Sequence, residues 1–271
     1  MFEVILVKLI ATASVVIGVS LAVSKLGPRL GGILAGTPII LGPGYYFMLQ
    51  ERPVEFIQSA ALSTLHALVG TLVFSICFVM TAGRMSALAS LGLATACWIP
   101  STLVFFKTPG GVWGAVLLYG VVLLIAEGVR LALKLGQPVV VARAGWFDVL
   151  LRGLLAGVLV SIATTVATKS GPLLSGVLVG FPVGLSTISW TLHERYGSHV
   201  ARATVTIAQK GMLSLVAFCV VLAFTVGKLP PMLTFTLSLV GSLVVSAALF
   251  LTSQWQHKRA YVALPLPEEK S

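Results

Sequence analysis

Hydrophobic runs of about twenty residues recur along the whole chain, and they constrain its fold more than any other feature. A helix of that length crosses the hydrocarbon core of a bilayer, which is about 30 Å thick. Of the 271 residues, 57% are hydrophobic and only 10% are charged. Soluble domains average roughly 25% charged residues. The sequence therefore predicts an all-α polytopic membrane protein without a soluble domain.

The runs predict nine transmembrane helices, called spans 1 to 9 below. Their ranges are 4–24, 30–49, 54–81, 85–105, 112–134, 146–168, 172–192, 198–226 and 230–252. Span 1 is too long for the apolar part of a signal peptide, and no convincing cleavage site follows it. The chain divides into a first repeat (1–105), a linker with span 5 (106–145), a second repeat (146–252) and a cytoplasmic tail (253–271).

The two repeats are recognised from spans 2 and 7. GPRLGGILAGTP begins at Gly27 and GPLLSGVLVGFP begins at Gly171, an offset of 144 residues. The same offset brings spans 1–4 onto spans 6–9. It pairs scarce residue types: Lys8 with Arg152, Lys25 with Lys169, Tyr46 with Trp190, His66 with Lys210, Phe74 with Phe218 and Arg84 with Lys228. Matches of this kind indicate an internal duplication.

Span 5 has no counterpart, so equivalent spans lie five crossings apart. Because an odd number of crossings reverses direction, the halves are expected to be inverted-topology repeats. Secondary transporters built this way bind their substrates near the bilayer midplane, at the interface between repeats.

Lysine and arginine are concentrated in the connections between spans 1–2, 3–4, 5–6 and 7–8 and near the C-terminus. Since these residues favour the cytoplasmic side, the N-terminus is predicted outside and the C-terminus in the cytoplasm. This bias explains the net charge of +10 better than nucleic-acid binding does.

Proline interrupts spans 2 and 7 near their middles. Pro38 is followed by Gly42, and Pro182 is followed by Gly184 and Ser186. Proline in a helix frees backbone carbonyls, which in lipid must be covered by protein or by a water-filled cavity. Helices 2 and 7 are therefore expected to be broken. Two interpretations of the breaks stay open: a kink in a structural helix, or a binding site formed where the break is duplicated.

A GxxxG motif precedes each of these prolines. The motifs are formed by Gly32 with Gly36 and by Gly176 with Gly180. Small residues four apart let helix backbones approach closely in a membrane. We expect spans 2 and 7 to cross through these glycines.

His66 and Lys210 occupy equivalent positions about twelve residues into spans 3 and 8, near mid-bilayer. Ionisable groups at that depth cost at least about 2.5–3.5 kcal/mol, so they are candidates for function. The alternatives are a hydrogen-bonded core histidine and a lysine that snorkels to the interface. In span 5, Glu127 precedes Arg130 by three residues, which is typical of an ion pair; a proton-carrying carboxylate is the alternative.

These observations predict a substrate site built from spans 2, 3, 7 and 8. Its candidate residues are Gly36, Pro38, Gly42, Tyr46, His66, Gly180, Pro182, Ser186, Trp190, Gln209 and Lys210. The candidates for proton coupling are His66, Lys210 and Glu127. The three cysteines lie singly in apolar runs, so neither a metal nor another cofactor is expected.

Parts of both repeats resemble the GlpM-like family of small four-helix bacterial inner-membrane proteins. The resemblance rests on residues 178–206, LVGFPVGLSTISWTLHERYGSHVARATVT, and on the sequence AGTP that ends at Pro38. The shared features are a Gly-x-Pro break in the second helix, a Glu-Arg-Gly-like turn and an Ala-Arg-Ala-Thr opening of the third helix. The turn here reads Glu-Arg-Tyr-Gly from Glu194, so its spacing departs from the family. The resemblance implies two such units in tandem and a bacterial inner membrane, but no substrate.

The favoured function is secondary transport of a small anionic solute by alternating access between the repeats, with proton coupling as one option. The helix N-termini at the breaks and Lys210 favour an anion. The alternatives are a channel or lipid-translocating protein and a non-transporting envelope assembly subunit. An enzyme is not expected, because the sequence offers no paired nucleophile and base. The expected partners are the substrate and membrane lipid, with a homodimer as one possible assembly, and nucleic acid is not expected.

Overall fold

The computed structural model describes the backbone of residues 2–25, 38–135 and 145–262. It describes the side chains in the same ranges, except those of residues 2, 23–25, 166–170 and 256–262. Within these ranges the chain forms ten helices and no β-strand. They are α1 (Phe2–Lys25), α2 (Leu41–Glu51), α3 (Val54–Thr81), α4 (Ala87–Phe105), α5 (Gly111–Ala132), α6 (Trp146–Val179), α7 (Val183–Tyr196), α8 (Ser198–Gly211), α9 (Leu213–Thr225) and α10 (Pro231–Val262).

Eight stretches of the described chain are long and apolar enough to cross a bilayer, so the protein is an all-α, multi-pass membrane protein as predicted. They match spans 1 and 3 to 9; span 7 is Gly171–Tyr196 and span 8 is Ser198–Thr225. Span 2 begins among residues 26–37, outside the described part, and its later half is α2. The count of nine spans and the repeat boundaries stay predictions.

The predicted interruption of span 7 is present at Pro182. Helix α6 ends at Val179 and α7 begins at Val183, with Pro182 at the N-cap of α7. Pro38 is also outside a helix, three residues before α2 begins at Leu41. Helix α6 contains span 6 and the first part of span 7, and Gly171 separates the two with a backbone φ of 76° that favours glycine.

Span 8 has a local irregularity at Met212, between α8 and α9, although Met212 keeps helical backbone angles (φ −65°, ψ −13°). Near it, the Tyr119 hydroxyl of α5 donates a hydrogen bond to the Gln209 carbonyl at 3.1 Å. A side chain of α5 therefore donates a hydrogen bond to a carbonyl in the last turn of α8. Inside a membrane, backbone polar groups need such partners within the protein.

Helices α1 and α6 pack closely in opposite directions. A Cβ built on Gly157 would lie 2.7 Å from the carbonyl oxygen of Leu9, and one built on Gly153 would lie 3.2 Å from that of Ala13. Along this contact, residue numbers rise in α1 and fall in α6, so the two helices are antiparallel. The glycines allow this close approach.

Helix α3 is the most buried of the eight spans and contacts α4, α5, α6, α8 and α9. It is antiparallel to α8: Arg202 Nε donates to the Val79 carbonyl at 2.7 Å, and Gln209 Nε2 donates to Ser75 Oγ at 2.9 Å. These two bonds connect the helices that the duplication equates as span 3 and the first part of span 8.

The second GxxxG motif packs against α3. Gly176 lies against Ala60 and Ser63, and Gly180 lies against Ala67. Close packing of the second motif is therefore present, with span 3 as a partner, and the predicted crossing with span 2 stays a prediction. The first motif lies outside the described residues.

Candidate functional site

A cavity of about 880 Å³ lies between the two helix breaks. Residues 38–41 line it from the first break, and residues 179–182 line it from the second. The cavity is within the size range of small-molecule sites, which is roughly 300–1,000 Å³. The two interrupted segments that the sequence singled out thus share one cavity.

The cavity lies toward one end of the helix bundle. Its wall includes Arg130 and Leu135 near the end of α5, and Arg152 near the start of α6. The same wall includes Ser20 in the second half of α1 and Ser253 in the second half of α10. This is the side of the connection between spans 5 and 6, which the charge distribution predicts to be cytoplasmic.

Helix N-termini add partial positive charge to the wall. Leu41 begins α2, and Gly184 and Leu185 belong to the first turn of α7; all three line the cavity. The first backbone N–H groups of a helix lack partners within the helix and carry the positive end of its dipole. Both breaks therefore present groups that attract an anion.

Among the residues that the structure describes, three cationic side chains line the cavity: Arg130, Arg152 and Lys210. Glu127 accepts hydrogen bonds of 3.0 and 2.7 Å from Arg130, and a third of 3.2 Å from Lys210 Nζ. The expected ion pair between Glu127 and Arg130 is therefore present, and it extends to the second repeat through Lys210.

Arg152 stands apart from this network. Its Nε donates to Thr187 Oγ1 at 3.3 Å, and no carboxylate in the described chain lies within 4.0 Å of its guanidinium. Asp148, one turn earlier, accepts a hydrogen bond of 2.8 Å from the Gly145 N–H and lies 3.3 Å from Arg195 Nη1. Arg152 therefore faces the cavity without an ion-pair partner among these residues.

His66 and Lys210 have different surroundings despite their equivalent positions. The side chain of Lys210 is 54% exposed at the cavity, whereas His66 is 1% exposed and is not among the cavity-lining residues. The His66 ring packs edge-on against Phe106, with centroids 5.8 Å apart. Neither ring nitrogen makes a hydrogen bond of ordinary geometry, although the Leu62 carbonyl lies nearby one turn earlier.

The other predicted residues lie apart from the cationic cavity. Gly42 and Tyr46 line a second, apolar pocket of about 460 Å³, which also includes Pro38. Ser186 donates to the Pro182 carbonyl at 2.8 Å. Gln209 is buried against Ser75, Trp190 is half-buried and lines neither pocket, and Gly36 lies outside the described residues.

Of the predicted substrate-site residues in the described chain, the cavity gathers Pro38, Gly180, Pro182 and Lys210. The sequence analysis missed Arg152 as a site residue. Its signal was available, because Arg152 lies six residues inside α6 and matches Lys8 of the first repeat. Charged residues inside a span are candidates for function by default.

No family model, curated protein or solved structure matches the chain. The resemblance to the GlpM-like family stays a prediction.

Proposed function

We propose that the protein is a secondary transporter of a small anionic solute and that the cavity between the breaks is its substrate site. The observation that carries the proposal is the presence of three cationic side chains in a cavity bounded by both interrupted segments. A site at broken helices between two repeats is typical of secondary transporters. We place the protein in a bacterial inner membrane, with its C-terminus in the cytoplasm.

The contact between α1 and α6 supports an inverted duplication. The offset of 144 residues equates α1 with the first part of α6. Gly157 lies against the Leu9 carbonyl and Gly153 lies against the Ala13 carbonyl, so these equated helices are antiparallel. Equated helices α3 and α8 are antiparallel as well. Antiparallel equivalents are what a twofold axis in the membrane plane produces.

The unequal surroundings of His66 and Lys210 support alternating access. The offset also equates Phe106 with Phe250. Phe106, the residue directly after the first repeat, packs on the buried His66, whereas in the second repeat both Phe250 and Lys210 line the cavity. If the repeats exchanged these arrangements, the present cavity would close and an equivalent one would form at His66 on the opposite side.

Labelling of single cysteines tests this exchange. In a variant whose three native cysteines are replaced by alanine, Lys210→Cys and His66→Cys are treated with a membrane-impermeant maleimide in oriented vesicles. We expect Lys210→Cys to react from the cytoplasmic side and His66→Cys to react, more slowly, from the opposite side. Leu117→Cys is the control: Leu117 is 73% exposed on α5 toward the lipid, so it should stay unlabelled.

Uptake into proteoliposomes tests transport itself. A panel of anions is compared for the wild type and Lys210→Met, and we expect saturable uptake that the variant reduces. Equal uptake by both proteins would remove Lys210 from the site. Simultaneous labelling of both cysteines from both sides would favour a channel.

One observation favours lipid translocation as a second candidate function. The apolar pocket shares Pro38 and Ile39 with the cationic cavity, and Phe47 and Phe235 also line it. A lipid-like anion could place its head in the cavity and its chain in this pocket. Transport of a long-chain alkyl phosphate in preference to a short-chain one would support this function over solute transport.

A further inference from the structure

We propose that Arg152 is the ligand-binding cation of the cavity and that the ligand is an organic dianion, such as a phosphate monoester or a dicarboxylate. This inference rests on the proposed substrate site. It adds the residue that holds the anionic group and the charge of the ligand.

The comparison of the two repeats identifies Arg152. Its counterpart, Lys8, is buried and its Nζ donates to Glu51 at 2.6 Å. The residue equivalent to Glu51 in the second repeat is Arg195, which cannot accept such a bond and instead lies 3.3 Å from Asp148. The counter-ion present in the first repeat is therefore replaced by a cation in the second, and Arg152 keeps its positive charge for a ligand.

The guanidinium of Arg152 is available for an anion. Its Nε is bonded to the Thr187 hydroxyl, and its Nη1 and Nη2 make no hydrogen bond to a residue that the structure describes. The guanidinium presents planar, paired donors that match a carboxylate or phosphate group. Thr187 fixes one edge of the group and leaves the other donors for the cavity.

The charge balance of the described residues at the cavity favours a dianion. Arg130, Arg152 and Lys210 carry three positive charges, and Glu127 supplies one negative charge, which leaves +2. The neighbouring Asp148 interacts electrostatically with Arg152 and forms an ion pair with Arg195, so that adding both residues leaves the sum at +2. A dianion compensates both of these charges, whereas a monoanion compensates one.

The size and lining of the cavity favour an organic body on the ligand. At about 880 Å³ the cavity is far larger than a sulfate or phosphate ion, and much of its wall is aliphatic or aromatic, including Leu68, Leu185, Ile188, Phe181 and Phe250. Ligand sites of this kind combine an apolar wall with a few polar groups that fix orientation.

Thermal unfolding of the purified full-length protein in detergent tests the inference with phenyl phosphate, benzoate and sulfate at constant ionic strength and mildly alkaline pH. Phenyl phosphate is a dianion with an aromatic body, benzoate has the same body and one charge, and sulfate has the charge without the body. We expect phenyl phosphate to stabilise most, since a ligand that binds only the folded state raises the unfolding temperature.

Arg152→Gln removes both the bidentate contact and the positive charge, so it is expected to weaken phenyl phosphate binding about tenfold or more. Arg152→Lys removes the bidentate contact but keeps the charge, so it should weaken binding less. The matched control is Arg84→Gln, which removes one charge from an exposed turn and should bind as the wild type does. The inference is wrong if Arg152→Gln binds phenyl phosphate as tightly as Arg84→Gln, or if benzoate binds as tightly as phenyl phosphate.

The outcomes separate this inference from the proposed function. Dianion binding that depends on Arg152, without uptake into proteoliposomes, would support the binding site and refute transport. Anion uptake that is unchanged in Arg152→Gln would support transport and refute the role of Arg152.

Discussion

Replacing Gly180 by alanine is expected to destabilise the fold, because α3 leaves no space for a methyl group at this position. A Cβ on Gly180 would lie 2.6 Å from the Cβ of Ala67, whereas carbon atoms in contact are normally about 3.5–4.0 Å apart. The two segments would have to separate by about 1 Å. Gly176 is more tightly constrained, because a Cβ there would overlap the carbonyl oxygen of Ala60 and would lie 2.7 Å from the Cβ of Ser63.

The magnitude follows from the opposing contributions. Overpacking a close contact costs about 1–3 kcal/mol. At Gly176, inside α6, the helix propensity of alanine returns up to about 1 kcal/mol, whereas Gly180 follows the end of α6 and gains no such return. At Gly176 the separation also weakens the 2.8 Å hydrogen bond from Thr64 to the Gly176 carbonyl, and such bonds average about 0.6 kcal/mol in membrane proteins. We therefore expect each substitution to lower the free energy of unfolding by about 1–2 kcal/mol.

Unfolding in mixed micelles with increasing sodium dodecyl sulfate provides the measurement. Gly120→Ala in α5 is the matched control, because nothing lies within 4 Å of a Cβ at that position. That substitution should leave stability unchanged or raise it by up to about 1 kcal/mol. If Gly180→Ala and Gly120→Ala unfold at the same detergent fraction, the close packing of 171–180 on α3 is wrong.

Two other predictions concern charge. The side chain of Lys8 is only 5% exposed, and that of its partner Glu51 is 37% exposed. Because Glu51→Gln leaves a buried cation unpaired, it should lower the free energy of unfolding by about 1–3 kcal/mol. The double variant Lys8→Met, Glu51→Gln should recover part of this loss in the same unfolding assay, and no recovery would contradict the ion-pair explanation. For topology, a C-terminal green fluorescent protein should fluoresce in cells and a C-terminal alkaline phosphatase should be inactive; the reverse pattern would place the C-terminus outside.

The class of the fold and the position of one break could be predicted because both depend on local chemistry. Hydrophobic length determines which segments cross a bilayer. Proline removes a backbone donor wherever it stands in a helix, and this placed the interruption at Pro182 correctly. The ion pair between Glu127 and Arg130 is also local, because side chains three residues apart share one helix face.

The partners of these features could not be predicted, because they depend on which helices face each other. The small residues of the second GxxxG motif indicated close packing against another helix. They did not indicate which helix, and the structure shows that α3 packs against them. The duplication equated His66 with Lys210, yet equivalent positions in an asymmetric conformation have unequal surroundings, so only Lys210 reaches the cavity. The charge of Arg152 inside span 6 was visible in the sequence, but its missing counter-ion becomes visible only when the pair formed by Lys8 and Glu51 is seen in three dimensions.

Helix α5 contacts both of the helices that the predicted duplication equates, but it does so in different ways. It packs along α3, whereas its polar contacts reach α8, through the bond from Tyr119 to the Gln209 carbonyl and the ion pair between Glu127 and Lys210. If the protein is the transporter proposed above, its two end states should therefore differ in free energy. An anion that draws Lys210 away from Glu127 would break the ion pair that connects α5 with α8.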